Sequence, residues 1–269
     1  MTTDTTAAVP VSALAAALRD LGRGGRWTEA LALADAAVAT DPAGRATLAL
    51  AAAEIAMDAT WFSGEDLAGA RLTAADAAAV GPCWRLDFAH LRYEYFRQLH
   101  ADGPFRPGPE GKDAAAMDQL RHRLEDLRDG ASDQNQAGWA SMYLGLVCDN
   151  LYGDRPAAPA HYEVALRAGR ATGDPLLSRE ALRHLGDHDH DAGDHTTARE
   201  RWQEATALGA GAGNVVGTLS QQMLLAVLAR DTGDPAGADA IAAEVLRWTE
   251  ALGVVRLADQ ARAFLAGDR

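Results

Sequence analysis

The repeating unit of this chain is an alternation of apolar and polar positions, which is clearest over residues 176–209. Its apolar positions are Leu182, Leu185, Ala198, Trp202 and Ala205. They recur at steps of three and four, so they share one face of each of two short helices joined by the turn at 192–194. The small residues Gly186 and Ala198 predict that the two helices approach closely. Because such a pair cannot bury its apolar stripe alone, the pattern predicts stacked helix pairs.

The turn between the two helices recurs at a constant interval. Its Gly-Asp dipeptide stands at 153–154, 193–194 and 233–234, a step of 40 residues. Near the N-terminus, Gly25 and Gly64 are 39 residues apart. A fixed period of this size is typical of a helical repeat array.

The first helix pair carries a more specific pattern. Its marker residues are Gly25, Trp27, Ala30, Ala37 and Pro42. They resemble the second half of a tetratricopeptide repeat (TPR), and the 40-residue step resembles the longer-period TPR subtype of bacterial regulators and kinesin light chains. The resemblance implies an all-α fold, a right-handed α-solenoid of about six helix-turn-helix repeats with a C-terminal capping helix. It also implies that the first (A) helix of each pair, rather than the second (B) helix, lines a concave groove that receives peptides or partner helices.

The repeats differ in regularity along the chain. We expect residues 1–10 to be disordered and residues 11–269 to form a single TPR-like superhelical domain. Within that domain the pattern is irregular over 44–130, regular over 134–252, and ends in a cap at 254–267.

Two features of the N-terminal half are also predicted. The first B helix begins at Trp27 and runs to about Thr40, where Asp41 and Pro42 stop it, because proline cannot continue a helix. The next A helix is predicted to begin at about residue 46. A loop rich in Pro and Gly at 101–112 interrupts the third pair, and we expect it to fold over one edge of the groove.

Composition and charge narrow the classes of partner. The 269 residues are 48% hydrophobic and carry a formal net charge of −13. This charge argues against a nucleic acid or an anionic membrane as partner, because both attract clustered Lys and Arg. It suits a protein or peptide segment of basic character. The alternative is that the acidity only keeps a long surface solvated.

The sequence also predicts a cytoplasmic location. Its N-terminal residues lack the cationic and apolar regions of a signal peptide, and no apolar window reaches the ~20 residues of a membrane span. Cys83 and Cys148 are far apart and lack metal-ligand spacing, so both are interpreted as small core residues in a reducing compartment.

The densest polar cluster lies between His184 and His195. Matching Gly186 and Gly193 to the two glycines of the TPR pattern places a polar set on the groove side of this A helix. The set is Glu180, Arg183, Asp187, His190 and Asp191. Its acidic members and its single imidazole suit Lys or Arg side chains of a partner. The alternative is an exposed face that only meets solvent.

Other repeats contribute further groove candidates. They are Tyr93, Glu94, Trp139, Tyr143, Asn150, Arg230 and Asp231. The alignment of the fourth pair to the TPR pattern is ambiguous, because Gly145 and Gly153 are eight residues apart where the family has seven. Trp139, Tyr143 and Asn150 are therefore only candidates for the inner face.

The polar cluster also permits a metal-site hypothesis. His184, His188 and Asp191 form one stripe, and two histidines one turn apart can share a zinc ion. No general-base Glu or Cys ligand accompanies them. The polar residues His188 and Asp189 are instead explained by a satisfied interhelical His–Asp hydrogen bond.

Two classes of function follow from the sequence. The first is a non-catalytic protein- or peptide-binding module that acts as an adaptor or regulatory sensor. The second is an enzyme, or a small-molecule or metal-binding protein, of a biosynthetic pathway that uses the cluster between His184 and His195. No nucleophile or phosphate-loop motif is present and no cofactor is predicted. Self-association through one end of the array is a further hypothesis.

Overall fold

The structure, a computed structural model, describes residues 8–100 and 105–267, and all regular secondary structure in them is helical. The helices are α1 (Val11–Arg23), α2 (Trp27–Ala36), α3 (Pro42–Ser63), α4 (Ala68–Ala78), α5 (Trp84–His100), α6 (Ala114–Asp129), α7 (Gln134–Leu146), α8 (Ala158–Thr172), α9 (Pro175–Asp191), α10 (His195–Gly211), α11 (Val215–Asp231), α12 (Pro235–Leu252) and α13 (Val255–Ala266). A π-helix, Val147–Tyr152, continues α7. Of the residues predicted to be disordered, 1–7 lie outside the described ranges, and 8–10 precede α1 without regular structure.

The helices stack in the order of the sequence. Every helix packs against the next one along the chain, and odd-numbered A helices alternate with even-numbered B helices. Successive A helices also touch, as α3 touches α5 and α7 touches α9, so the A helices lie on the inner side of the curved array. The predicted all-α solenoid is therefore confirmed.

The recurring Gly-Asp turn has two separate physical tasks. Gly193 has a φ of +81°, a left-handed conformation that glycine adopts without the steric cost of a side chain. The next residue, Asp194, caps α10 by accepting a hydrogen bond from the backbone N–H of Thr197 at 3.1 Å. The same kind of cap begins the neighbouring helices, at Asp174, Asn214 and Asp234. The period seen in the sequence is thus a period of helix ends.

The boundary between the first two pairs differs from the prediction. Helix α2 ends at Ala36, because Ala37 is extended with ψ at 137°. Asp41 and Pro42 do not stop that helix; they begin the next one. The Asp41 carboxylate accepts from the Gly44 N–H at 2.8 Å, and Pro42 occupies the first turn, where its missing N–H costs nothing.

The π-helix accounts for the extra residue between the two glycines of the fourth pair. Gly145 and Gly153 are eight residues apart, whereas Gly186 and Gly193 are seven apart. The extra residue is absorbed within Val147–Tyr152, where the π conformation places more residues in one turn. The pair can therefore join the stack at both of its ends despite the insertion.

Gly186 has a use that the sequence did not reveal. We predicted a close approach of two backbones, but the space is filled by a side chain. A Cβ atom on Gly186 would lie 2.5 Å from Nε1 of Trp202, which is 1% exposed. The indole N–H of Trp202 donates to the Arg183 carbonyl at 2.9 Å. This tryptophan therefore joins α10 to α9 across a glycine.

The array curves until its last helices meet its first. We call this contact the seam; it comprises Gly25, Trp27, Trp61, Phe62, Phe96, His100, Val216 and Arg256. Its apolar part places Trp27 and Phe62, stacked with ring centroids 6.0 Å apart, against the core around Val216. Its polar part joins Arg256 of α13 to the C-terminal ends of α3 and α5. The predicted capping helix α13 thus also closes the ring of A helices.

The described part of the long loop is attached to the same end of the A helices. The Arg106 N–H donates to the Leu99 carbonyl at 2.9 Å, and the Gly108 N–H donates to the Asn150 carbonyl at 2.8 Å. These bonds tie residues 105–112 to the ends of α5 and the π-helix. The first loop residues, 101–104, lie outside the described ranges.

We predict that Gly186→Ala destabilises the protein by about 1–3 kcal/mol, because the added methyl group forces the Trp202 ring out of its site. The matched control is Gly211→Ala, since a Cβ atom there meets nothing within 4 Å. Urea denaturation monitored by circular dichroism measures both variants. Equal stability of the two variants would contradict the assigned packing.

Candidate functional site

The inner wall carries a row of charged and hydroxyl groups that passes from one A helix to the next. Arg92 of α5 donates from Nη2 to Asp58 Oδ1 of α3 at 2.7 Å. The same guanidinium donates from Nε to the Tyr143 hydroxyl of α7 at 3.0 Å. Burial opposes the charge of Arg92, but the neighbouring Tyr143 and Asp58 raise its pKa. The groups therefore hold one another in place across three repeats.

A second contact across repeats lies beside this row. The Asn150 side-chain amide donates to the Tyr95 hydroxyl at 2.7 Å, which joins the π-helix to α5. Burial raises the pKa of both Tyr95 and Tyr143, so both remain protonated. Two of the predicted candidates, Tyr143 and Asn150, thus lie among the A helices and bind residues of α5.

Helix α9 continues the row with Glu180, Arg183 and Asp187. Arg183 donates from Nη1 to His184 Nε2 at 3.0 Å, and His184 Nδ1 lies 3.4 Å from Asp187 Oδ2. The Nε of Arg183 and the Oδ1 of Asp187 are buried and have no hydrogen-bond partner in the structure. We call Asp58, Arg92, Tyr143, Glu180, Arg183 and Asp187 the inner row.

The two inner-row carboxylates of α9, Glu180 and Asp187, are ionised for similar reasons. Burial alone would raise the pKa of Glu180, but the charges of Arg179 and Arg183 outweigh it and lower the pKa. Burial likewise opposes ionisation of Asp187, and its hydrogen bond with His184 together with the charge of Arg183 lowers the pKa. The row therefore presents both signs of charge rather than an acidic strip.

A buried carboxylate organises the wall behind the row. Asp149 lies on the π-helix with 5% of its side chain exposed. Its oxygens accept from Tyr162 at 3.1 Å, from His188 at 3.0 Å and from Arg155 at 3.1 Å. Since three donors from two further helices and a turn converge on it, Asp149 fixes the π-helix against α8 and α9.

This network also supplies the partner of His188. The predicted interhelical His–Asp hydrogen bond exists, but its carboxylate is Asp149 of the preceding repeat. Asp189 instead lies 3.2 Å from Arg201 of α10. The two residues have different partners because residues adjacent on a helix point in different directions.

The remaining members of the α9 set, His190 and Asp191, lie at the C-terminal end of this helix. His190 lies 3.0 Å from Asp231 of α11, and its ring stacks on His195. Asp191 pairs with Arg155 at 2.5 Å. Arg230 places its guanidinium 4.0 Å from the centre of the Phe264 ring, so it is directed toward α13.

Three predicted candidates face other neighbours. Tyr93 donates its hydroxyl to Asp66, and Glu94 pairs with Arg123 of α6. Trp139 donates its indole N–H to Asp174 at 2.9 Å, at the start of α9. The structure therefore directs Tyr93 and Glu94 to the loop before α4 and to α6, away from the inner row.

Sequence reasoning missed the two residues that begin the row. Asp58 was visible only as a charge that interrupts the apolar stretch of α3, and Arg92 precedes Tyr93 by one position. The pattern of this irregular pair did not fix which of two adjacent residues faces inward. The signal that could have identified Asp58 was a charged residue within an otherwise apolar A helix.

The histidines of the cluster have separate partners. His184 contacts Asp187, His188 contacts Asp149, and His190 contacts Asp231. Within the described ranges, no group of three His, Cys, Asp or Glu residues has the arrangement of a metal site.

Comparison with solved structures gives a fold relative. The chain is similar to a crystal structure of Rap protein complexed with competence and sporulation factor, with a TM-score of 0.62 and 11% sequence identity. The similarity covers 95% of this chain and 69% of the Rap chain. No family model matches the sequence, and the curated proteins contain no match. Its stacked helix pairs and this fold relative show that the chain has a TPR-like helical repeat fold.

The helices in the described ranges do not meet the requirements of a membrane span. None of them combines the length and the apolar character that crossing a bilayer demands.

We predict that Asp149→Ala destabilises the protein by about 3 kcal/mol, because it leaves His188 and the Tyr162 hydroxyl without their buried acceptor. Asp191→Ala is the matched control, since Asp191 binds the same Arg155 but has 59% of its side chain exposed. Its expected effect is within about 0.5 kcal/mol. Chemical denaturation measures both, and an equal loss in the two variants would contradict the role of Asp149.

Proposed function

We propose that this chain is a non-catalytic binding module whose inner row receives a peptide or a segment of another protein. The observation that carries the proposal is that two polar atoms of the inner row, Arg183 Nε and Asp187 Oδ1, are buried without hydrogen-bond partners. Buried polar groups normally form hydrogen bonds, and leaving one unpaired costs about 1–3 kcal/mol. Both residues are only half-buried, so rotation of their side chains toward a ligand that supplies an acceptor to Arg183 and a donor to Asp187 removes this cost.

The rigidity of the wall supports the same function. Arg92 is held by Asp58 and Tyr143, and Glu180 is paired with Arg179, which is 3% exposed. Groups fixed in advance lose little conformational freedom when a ligand binds, so more of the interaction energy appears as affinity. This arrangement suits an adaptor or a regulatory sensor.

The charges of the wall change the expected chemistry of the ligand. The sequence predicted a basic partner, but Asp58, Glu180, Asp191 and Asp231 already pair with arginines or a histidine. Asp187 is the member of the row that best retains capacity for a cation or another donor. We therefore propose a ligand that combines a donor for Asp187 with an acceptor for Arg183. A basic side chain can donate to Asp187, but it cannot accept a hydrogen bond from Arg183.

The fold relative adds support of a general kind. The Rap structure is a complex with competence and sporulation factor, which demonstrates that a protein of this fold holds a partner. We extend partner binding to this chain as part of the proposal, together with the cytoplasmic location expected from its sequence.

The test selects peptides from a random phage-displayed library on the full chain and measures their affinity by calorimetry. We predict that the double variant Arg183→Gln, Asp187→Asn weakens binding at least about tenfold, the equivalent of 1.4 kcal/mol. The control is Arg170→Gln, Glu204→Gln, an exposed ion pair between the B helices α8 and α10. It should bind as the unchanged protein does.

Thermal unfolding of both double variants separates a loss of binding from a loss of folding. If the library yields no binding peptide, the proposed function is wrong. If the inner-row variant and the control bind equally well, the site lies elsewhere on the solenoid.

A further inference from the structure

The seam is an unusual contact for a helical repeat array. In such an array each repeat is stabilised by its immediate neighbours, so contacts between the two ends are not needed for folding. Here Arg256 of α13 reaches α3 and α5, whose residues are more than 150 positions away in the sequence. The seam therefore determines whether the ring of A helices is closed.

The polar part of the seam is a small group centred on His100. Arg256 Nη1 lies 3.3 Å from His100 Nε2 and 3.4 Å from the Trp61 carbonyl oxygen. Aromatic rings surround the imidazole: Phe96 is stacked at 4.4 Å, Trp61 lies edge-on at 5.7 Å, and Phe105 of the loop lies at 5.7 Å. These contacts bring α3, α5, α13 and the loop together at one histidine.

The hydrogen bonds define the protonation state of His100. Its Nδ1 lies 3.1 Å from the Phe96 carbonyl oxygen, so Nδ1 carries the hydrogen and donates. Its Nε2 faces the Arg256 guanidinium, which can only donate, so Nε2 must present a lone pair. The closed seam therefore requires a neutral imidazole.

We propose that the seam is a pH-sensitive clasp, in which protonation of His100 expels Arg256 and opens the ring of A helices. A proton on Nε2 removes the acceptor of Arg256 and places two cations in contact among aromatic rings. Such a pair is unfavourable, because a half-buried site screens the repulsion less than open solvent does. The hydrogen bonds of Arg256 are long, at 3.3 and 3.4 Å, and therefore too weak to hold it in place against this repulsion.

The electrostatics of His100 give the direction of the effect. Burial lowers the pKa of His100 below 6.5, the hydrogen bond to Phe96 opposes this shift, and the charge of Arg256 lowers the pKa further. A histidine with a lowered pKa in the closed form contributes its full stabilisation above pH 6.5. That stabilisation is lost as the pH falls below 6.5, where the opened form binds the proton more readily.

The clasp lies close to the inner row. Trp61 follows Asp58 by three residues on α3, and Phe96 follows Arg92 by four residues on α5, so each pair is one helical turn apart. Release of α13 removes the restraint on the ends of these two helices. Opening of the clasp would therefore alter the width of the groove where the row begins, whatever ligand the row accepts.

The experiment compares hydrogen exchange and small-angle X-ray scattering of the full chain at pH 7.5 and pH 5.5. After correction for intrinsic exchange rates, we expect α13 to exchange about tenfold faster at pH 5.5, with α9 and α10 unchanged. The radius of gyration should rise over the same interval. Retained protection of α9 and α10 distinguishes opening of the seam from unfolding.

Three variants decide whether His100 is responsible. His100→Gln keeps an acceptor that does not titrate, so it should stay closed at both pH values. Arg256→Met keeps the apolar stem without the charge, so α13 should exchange rapidly at both. The control is His161→Gln, since burial also lowers the pKa of His161 but the residue lies on α8, away from the seam. It should open as the unchanged protein does.

An increase in exchange that persists in His100→Gln would overturn the proposal, and so would a closed seam in Arg256→Met at pH 7.5. Loss of the pH response in His161→Gln would assign the effect to another histidine.

Discussion

The apolar face that each helix pair leaves uncovered is the constraint on which this structure depends. Only the next pair can bury it, so the chain must add pairs in sequence order, and each addition turns the array by a similar step. The Gly-Asp turns keep this step constant, because each glycine follows the end of one helix, and Asp194 and Asp234 cap the start of the next. The inner line of A helices is a consequence of this stacking.

Stacking also determines which polar groups can be buried. A charge on one A helix faces the adjacent A helix, so Arg92 finds partners on α3 and α7, and Asp149 finds donors on α8 and α9. These contacts convert separate repeats into one stiff wall. Within it, Arg183 and Asp187 retain hydrogen-bonding capacity that the protein itself does not use. This unused hydrogen-bonding capacity is thus a consequence of how the helices pack.

The sequence predicted what depends on local periodicity. The period located the turns, and matching Gly186 to the TPR pattern placed Glu180, Arg183 and Asp187 beside one another on α9. It did not predict the π-helix, since a single extra residue can be absorbed in several ways. The sequence also named Tyr93 and Glu94 as groove residues, whereas the structure places Arg92 on the inner side of α5. In an irregular helix pair, the pattern does not determine which of two adjacent residues faces inward. The contact of Arg256 with His100 depends on the accumulated curvature of all repeats, which no local pattern contains.

The central claim is that the unpaired atoms of Arg183 and Asp187 are the contacts of a ligand. The most direct measurement is the nitrogen-15 resonance of the Arg183 side-chain Nε–H, assigned through Arg183→Lys and followed while a library-selected peptide is added. A new hydrogen bond should shift this resonance, and the Arg170 Nε–H should stay in place. An unchanged Arg183 resonance at saturating peptide would contradict the claim.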